Sequence, residues 1–335
     1  MKAAIDNPIY TVSIVVGDTT YNVTPAIESL SFTDQQKQFA QSVTLTLFNQ
    51  KINDSWLSSL LPVGSRVYVH ADDGTTQDEV FRGFIWTRSY GASNDSKSLK
   101  LKCYDNLIYM QESEDYEFFA SGRSTKDVVS SLCSKWGVKL DYSYSSITHS
   151  KLVLRGNLSD IFTSDILDLV KDQTGGKYVI RSEKDVMKVM PVGQNSTVYN
   201  LIRKENVIKT SSEHTMEGMV TKVVILGKED ENDRAPIEAT ELGLAKEYGT
   251  LQKVINKNDN TSLADAKKEA QSILKESGKP KWTYEVEAVD IPWIRKGDKV
   301  YVNAGDMYQL NCIVLGIDRE IGNNGKTMTL TLENV

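Results

Sequence analysis

Gly64-Ser65-Arg66-Val67-Tyr68-Val69-His70-Ala71-Asp72-Asp73 and Gly297-Asp298-Lys299-Val300-Tyr301-Val302-Asn303-Ala304-Gly305-Asp306 share a leading glycine, a Val-Tyr-Val core, an alanine and a closing aspartate. Side chains that alternate in character with period two, with a glycine ahead of them, mark a half-buried β-strand entered through a turn. The likeness continues in the same order along the chain. Arg88-Ser89-Tyr90-Gly91 falls against Arg319-Glu320-Ile321-Gly322, and Lys97-Ser98-Leu99-Lys100-Leu101 against Lys326-Thr327-Met328-Thr329-Leu330. Upstream, Val43 to Phe48 lines up with Thr221 to Leu226, each after a polar connection. The simplest account is two copies of one small β-barrel, the second interrupted by a helical segment around Leu263.

The surrounding pattern supports this reading. Tyr10 to Val16 alternates, Gly17-Asp18 turns, and Thr20 to Val23 answers. Ser42 to Phe48 has strict alternation and many β-branched residues. A short helix is expected from Asp54 to Leu61, then strands at Arg66 to His70, Glu79 to Ser89 and Ser98 to Tyr104. The middle changes character. Ser124 and Asp127 form a capping box for a helix carrying Val128, Val129, Leu132 and Cys133, and a second helix is expected from Ser159 to Gln173, stopped by Gly175-Gly176. Lys177 to Arg181 and Val186 to Pro191 read as a hairpin, and Leu263 to Ser277 as a third helix boxed by Ser262 and Asp265. Strands return at Met219 to Leu226, Thr283 to Val289, Lys299 to Ala304, Leu310 to Asp318 and Thr327 to Leu332. The fold class is therefore mainly β with an α/β insertion (α+β). Expected divisions are residues 1–111 for the first barrel, 112–206 with 238–282 for the middle α/β domain, and 207–237 with 283–335 for the second barrel.

Composition narrows the function classes. A chain of 335 residues with 40% hydrophobic content can bury several cores. Its 39 basic and 45 acidic residues give a net charge of −6, against a surface that grips nucleic-acid phosphates. The first residues carry no apolar signal run and no stretch is long enough for a membrane anchor, so synthesis in the cytoplasm is expected. Cys103, Cys133 and Cys312 are far apart and odd in number, which reads as reduced buried thiols.

Residues for catalysis are sparse. The histidines are His70, His149 and His214, and His70 falls where the second copy has Asn303. No zinc motif, Cys-x-x-Cys pair or Gly-x-Ser-x-Gly elbow is present. Gly322-Asn323-Asn324-Gly325-Lys326-Thr327 joins two strands and reads as a hairpin turn, not a phosphate loop, and Thr174-Gly175-Gly176-Lys177 leads from a helix into a strand. The acidic run Glu229-Asp230-Glu231-Asn232-Asp233 lacks the spacing of a calcium loop. The expectation is therefore no catalytic, cofactor-binding or metal-binding residues and no cofactor.

The C-terminal third carries a resemblance. Ala266 and Ala270, Ile273-Leu274-Lys275-Glu276-Ser277-Gly278-Lys279-Pro280, Tyr284-Glu285-Val286-Glu287-Ala288 and Ile294-Arg295-Lys296-Gly297-Asp298-Lys299-Val300 run into Gly316-Ile317-Asp318-Arg319 and Met328-Thr329-Leu330-Thr331-Leu332-Glu333. This resembles the baseplate hub proteins of contractile tails, the phage late-control D family, and most closely the hub of PBSX-like prophages and related phage-tail-like bacteriocins. The resemblance implies two tail-tube-like barrels per chain and a homotrimer that presents six barrels to the hexameric tail tube and its other face to a trimeric spike. Implied partners are the tail tube protein, the spike protein, other baseplate proteins and the tape measure protein. It also implies assembly into a tail or tail-like particle after synthesis in a bacterial host. With no hydrolase module in view, wall-degrading activity is expected of a partner.

Two other function classes compete with a structural hub: a tail-associated peptidoglycan hydrolase, and a monomeric barrel that binds glycan or single-stranded nucleic acid. Finally, the polar connections Asp34 to Gln41 and Ser212 to Met219 exceed what a tight hairpin needs, and are expected to reach neighbouring subunits or the adjoining tube ring, the alternative being two mobile surface loops.

Overall fold

The computed structural model describes residues 7–36, 38–52, 54–92, 97–229, 234–257, 262–323 and 325–335. Four residues of the acidic run at 229–233, and Asn324 of the expected hairpin turn, lie outside them.

Alternating side chains make the first barrel from β1 (Ile9–Val16), β2 (Thr19–Asn22), β3 (Ile27–Asp34), β4 (Ser42–Phe48), the two-residue hairpin strands β5 (Lys51–Ile52) and β6 (Ser55–Trp56), β7 (Arg66–Asp72), β8 (Gln77–Ala92) and β9 (Lys97–Tyr104). Seven of these follow the order β3-β4-β9-β8-β7-β1-β2, with β5 and β6 paired apart. Every second residue of β4 and β7 points inward, so Val43, Leu45, Leu47, Val67 and Val69 meet in one core. The helix expected over Asp54 to Leu61 shrinks to α1 (Leu57–Leu60) because Ser55 and Trp56 pair with Ile52 and Lys51.

The middle unit contains α2 (Ile108–Gln111), β10 (Glu114–Phe119), α3 (Thr125–Lys135), β11 (Lys139–Tyr142), β12 (Leu152–Asn157), α4 (Leu158–Asp160), a π-helical stretch at Ile161–Leu167, α5 (Asp168–Thr174), β13 (Tyr178–Glu183) and β14 (Val186–Pro191). The Asp127 N–H donates to Ser124 Oγ at 3.1 Å, the expected cap of α3. Gly175, at φ +73°, ends α5 in the left-handed conformation that glycine adopts without a Cβ clash. Lys184 and Asp185, both at positive φ, turn the β13–β14 hairpin. The core of this unit also takes in Phe39, Ala40, Leu107, Ile108 and Met110. These residues fall within the 1–111 stretch assigned to the first barrel, whose ends thus plug into the middle unit.

Beyond it come β15 (Tyr199–Ile202), β16 (Val207–Thr215), β17 (Lys222–Leu226), β18 (Ile237–Leu242), α6 (Ala245–Tyr248), β19 (Gln252–Asn256), α7 (Leu263–Ser277), β20 (Lys281–Val289), β21 (Lys299–Ala304), β22 (Met307–Gly322) and β23 (Gly325–Asn334). Strand pairing corrects the sequence reading here. β17 is the centre of a separate sheet, β18-β17-β19, and its Val223 and Ile225 pack with Ala266 and Ala270 of α7. The counterpart of β4 is instead β20, which pairs with β23 as β4 pairs with β9. A buried Val-Val-Ile run looks alike in either sheet, so order along the chain misplaced it. The boundary after residue 206 also shifts, since β15 pairs with β21. The helical segment at 263–277 packs on β17, so 238–282 with β17 forms a small α/β unit of its own inserted between β16 and β20.

With that correction β3, β4, β7, β8 and β9 match β16, β20, β21, β22 and β23, while β1 pairs antiparallel with β7 where β15 pairs parallel with β21. The ladders β7-β8-β9 and β21-β22-β23 place Tyr68 opposite Arg82 and Tyr301 opposite Asn311, and Leu99 and Met328 hold equivalent positions. Both ladders skip one residue after their Ile85 or Val314 pair, a shared β-bulge. The β3–β4 and β16–β20 pairs share another, at Ile27 and Val207. This register also moves the Arg88–Arg319 correspondence by two residues. Tyr90, opposite Leu99, is the equivalent of Arg319, opposite Met328.

The two leading glycines make the same turn. The Gly64 N–H donates to the Ile85 carbonyl at 2.8 Å and the Ile85 N–H to Ser65 at 2.9 Å. Gly297, Val314 and Asp298 repeat those bonds at 2.8 and 2.9 Å. The glycines sit at φ +83° and +86°, but a Cβ on Gly64 would meet open space while one on Gly297 would lie 2.6 Å from the Val179 side chain. Gly64→Ala should therefore cost about 1–2 kcal/mol of backbone strain. Gly297→Ala should cost about 2–4 kcal/mol, because crowding adds to strain. Urea unfolding of both variants checks the order, and equal losses would contradict it.

Candidate assembly interface

The two barrels meet edge to edge within the chain. β22 is 16 residues long, and only its first part is covered by β21. Its last part pairs antiparallel with β3, from Ile317 opposite Asp34 to Gly322 opposite Ser29. The sheets of both copies thereby become one sheet of 13 strands among the described residues.

Charged groups seal this seam. Arg319, about 1% exposed, donates from Nε to Asp290 Oδ1 at 2.9 Å and from Nη2 to the Ile291 and Ile294 carbonyls at 2.9 and 2.6 Å. The Tyr10 hydroxyl, from the other copy, donates to the second oxygen of Asp290. Burial first, and Asp290 next, hold that hydroxyl far above the usual phenol range. Lys296 lies 2.6 Å from Asp34 with both side chains almost fully buried, and its Nζ also donates to the Gln35 and Gln38 carbonyls. Trp293 Nε1 donates to Asp73 at 2.6 Å and Gln35 Nε2 to Asp318 at 2.7 Å. The connection Asp34 to Gln41 is thus committed to its own chain: Asp34 and Phe39 to Gln41 are buried. Ser212 to Thr215, expected as a connection, extend β16 along β20.

The middle unit is tied to the seam through its hairpin. Arg181 Nη1 meets Asp298 at 2.8 Å and the Lys296 carbonyl at 3.0 Å, while Asp185 is paired to Arg66 and Arg82 of the first barrel. Sequence patterning did not single out Arg319, Asp290, Lys296 or Asp34 as a group. They come from β3, the β20–β21 connection and β22, and nothing in their spacing along the chain brings these three stretches together.

The histidines are dispersed over different units. His70 is half-buried in β7, His149 is buried 2.9 Å from Thr125 Oγ1 in the middle unit, and His214 stacks on Trp282 at 4.2 Å on the outer strand pair of the second barrel. Burial lowers the His149 pKa. All three cysteines are free and buried, and burial pushes their thiols up, Cys312 to about 11. Among the described residues no three His, Cys, Asp or Glu side chains gather at metal-ligand spacing, and no helix is long and apolar enough to cross a membrane. A cleft of about 1940 Å³ separates α5, α7 and the second barrel. On its walls Lys171 lies 3.4 Å from both Asp168 and Glu276, while burial raises the carboxyls of Asp172 and Glu269.

The same architecture occurs in solved structures. The tail protein from Neisseria meningitidis MC58 is similar at 16% identity and TM-score 0.71, over 97% of this chain and 96% of that one. The 43 kDa tail protein of prophage MuSo2 from Shewanella oneidensis is similar at 13% identity and TM-score 0.70, over 96% and 98%. The c3393 protein of E. coli, described as a type VI secretion component with structural similarity to T4 tail proteins gp27 and gp5, is similar at 9% identity and TM-score 0.58, over 92% and 74%. These likenesses establish a shared fold. No match was found among curated proteins. The YQBQ-like family model matches residues 30–333, which takes in the first barrel from within β3 onward, both inserted units and the second barrel, and the chain belongs to the YQBQ-like family.

Proposed function

We propose that this chain is the structural central hub of a contractile phage tail or tail-like injection particle, a homotrimer that adapts the hexameric tail tube to a trimeric spike. One observation carries the reading. The duplicated barrels are joined by a head-to-tail strand contact, and among the described residues the equivalent edges, β16 and the far half of β8, have no second strand beside them. A head-to-tail contact repeated between chains closes into a ring when its rotation permits, and three chains with two barrels each give a pseudo-sixfold face. The similar fold of phage tail proteins supports a tail component. Partners on this reading are the tail tube, the spike, other baseplate proteins and the tape measure protein, met after synthesis in the bacterial cytoplasm.

On this reading the chain works by assembly and not by catalysis. Light scattering of the purified 37.5 kDa chain, alone and mixed with the spike and tube proteins encoded with it, is expected to give three copies per complex. A monomer under all of these conditions overturns the hub. Clearing of peptidoglycan by the purified chain would instead make it the wall hydrolase.

A further inference from the structure

We propose that the far half of β8 pairs antiparallel with β16 of a second copy of this chain, in the register that β22 and β3 use within one chain; this rests on the ring reading above. The shared bulges fix the equivalences. Arg88, Tyr90 and Ala92 of β8 correspond to Ile317, Arg319 and Ile321 of β22. Thr210, Ser212 and His214 of β16 correspond to Leu30, Phe32 and Asp34 of β3.

Their exposures differ as a missing neighbour requires. Ile317, Arg319, Ile321, Leu30, Phe32 and Asp34 are all buried, whereas Arg88, Tyr90, Ala92, Ser212 and His214 are exposed and Thr210 is half-buried. In the second barrel the far part of β22 is covered on both sides, by β23 and β3. In the first, the far part of β8 is covered among the described residues by β9 alone, because β7 reaches only as far as Phe84. Among the described residues, β20 is likewise the strand that pairs with β16, apart from a single bridge of Val207 to Arg203. Among the described residues neither edge has a second strand beside it, the feature that templates a further strand. Joining them places Arg88 opposite the partner's His214, Tyr90 opposite the partner's Ser212 and Ala92 opposite the partner's Thr210. The contact is head to tail, so it propagates around a ring and cannot form a twofold dimer.

The seam between chains differs in chemistry from the seam within one. Asp34 and Arg319 are replaced by His214 and Tyr90, and the turn residue Lys296 by Val63, which is exposed. It therefore lacks the buried ion pairs and depends on strand hydrogen bonds and aromatic packing around the stacked His214 and Trp282. The subunit joint is then the separable one, and the joint inside the chain is permanent.

Cysteine pairing reads the register. Chains carrying Tyr90→Cys are mixed with chains carrying Ser212→Cys, Thr210→Cys or His214→Cys, assembled, oxidised mildly and resolved by mass. The native cysteines are buried and can stay. Directly opposite Cβ atoms approach disulfide distance and diagonal ones do not, so the Ser212→Cys mixture should give about tenfold more crosslinked chain than the other two. Amides 88–92 and 209–215 of the unsubstituted chain should also gain hydrogen-exchange protection on assembly. Rings that form without that crosslink and without protection overturn the strand pairing while the hub reading stands. A preference for a slipped pair overturns the register. Failure of the unsubstituted chain to assemble at all overturns both.

Discussion

Replacing Arg319 by methionine is expected to destabilise the chain by about 3–5 kcal/mol. Its guanidinium is the donor for one oxygen of Asp290 and for two backbone carbonyls, and Asp290 is fully buried. Methionine fills much of the volume but leaves a carboxylate in a low-dielectric interior, still accepting from the Tyr10 hydroxyl but without its guanidinium, and two carbonyls lose a donor. A variant that also carries Asp290→Leu removes the stranded charge and should recover part of the loss, because a buried pair exchanged for apolar groups is often near neutral. Urea unfolding of wild type, both single variants and the double variant gives the coupling directly. A single-variant loss below about 1 kcal/mol would mean that water reaches Asp290 and the seam is not sealed there.

Lys296→Met is expected to cost about the same, roughly 3–5 kcal/mol, by the same physics at a different point of the seam. Asp34 would lose a cation 2.6 Å away while remaining buried, and the Gln35 and Gln38 carbonyls would lose their ammonium donor. Because Asp34 ends β3 and Lys296 precedes β21, the damage falls between the barrels and not inside either core. Hydrogen exchange should show it as faster opening of the β3–β22 pairs, with the β4–β9 and β20–β23 pairs protected as before. Loss of protection spread evenly through both barrels would contradict a seam-specific role. The Asp34→Asn, Lys296→Met double variant should regain stability relative to Lys296→Met.

Both variants act at residues whose burial nothing in the sequence marks. Arg319 and Lys296 stand in ordinary polar positions of a strand and a turn, and each becomes critical only when the other barrel arrives against it. The comparison with the outer edges makes the same point in reverse. Tyr90 occupies Arg319's place in the repeat yet is exposed, since among the described residues no second strand joins β9 beside its half of β8.

By itself the sequence determined the elements and the duplication. Strict alternation in Ser42–Phe48 and Lys299–Ala304 put one face of each strand in a core, capping boxes at Ser124 and Ser262 set the starts of α3 and α7, and the paired glycines marked the same turn twice. These are local effects, governed by side-chain period, cap hydrogen bonds and backbone sterics. The sequence pointed to β17 as the counterpart of β4, and wrongly, because an apolar strand carries no record of its partner. Only the tertiary structure decided that β20 joins the barrel, that β17 founds a separate unit with α7, and that β22 reaches across to β3. Strand partnership is set by backbone hydrogen bonds between residues far apart in the chain, and buried ion pairs such as Lys296–Asp34 form only once that long-range pairing has excluded water around them.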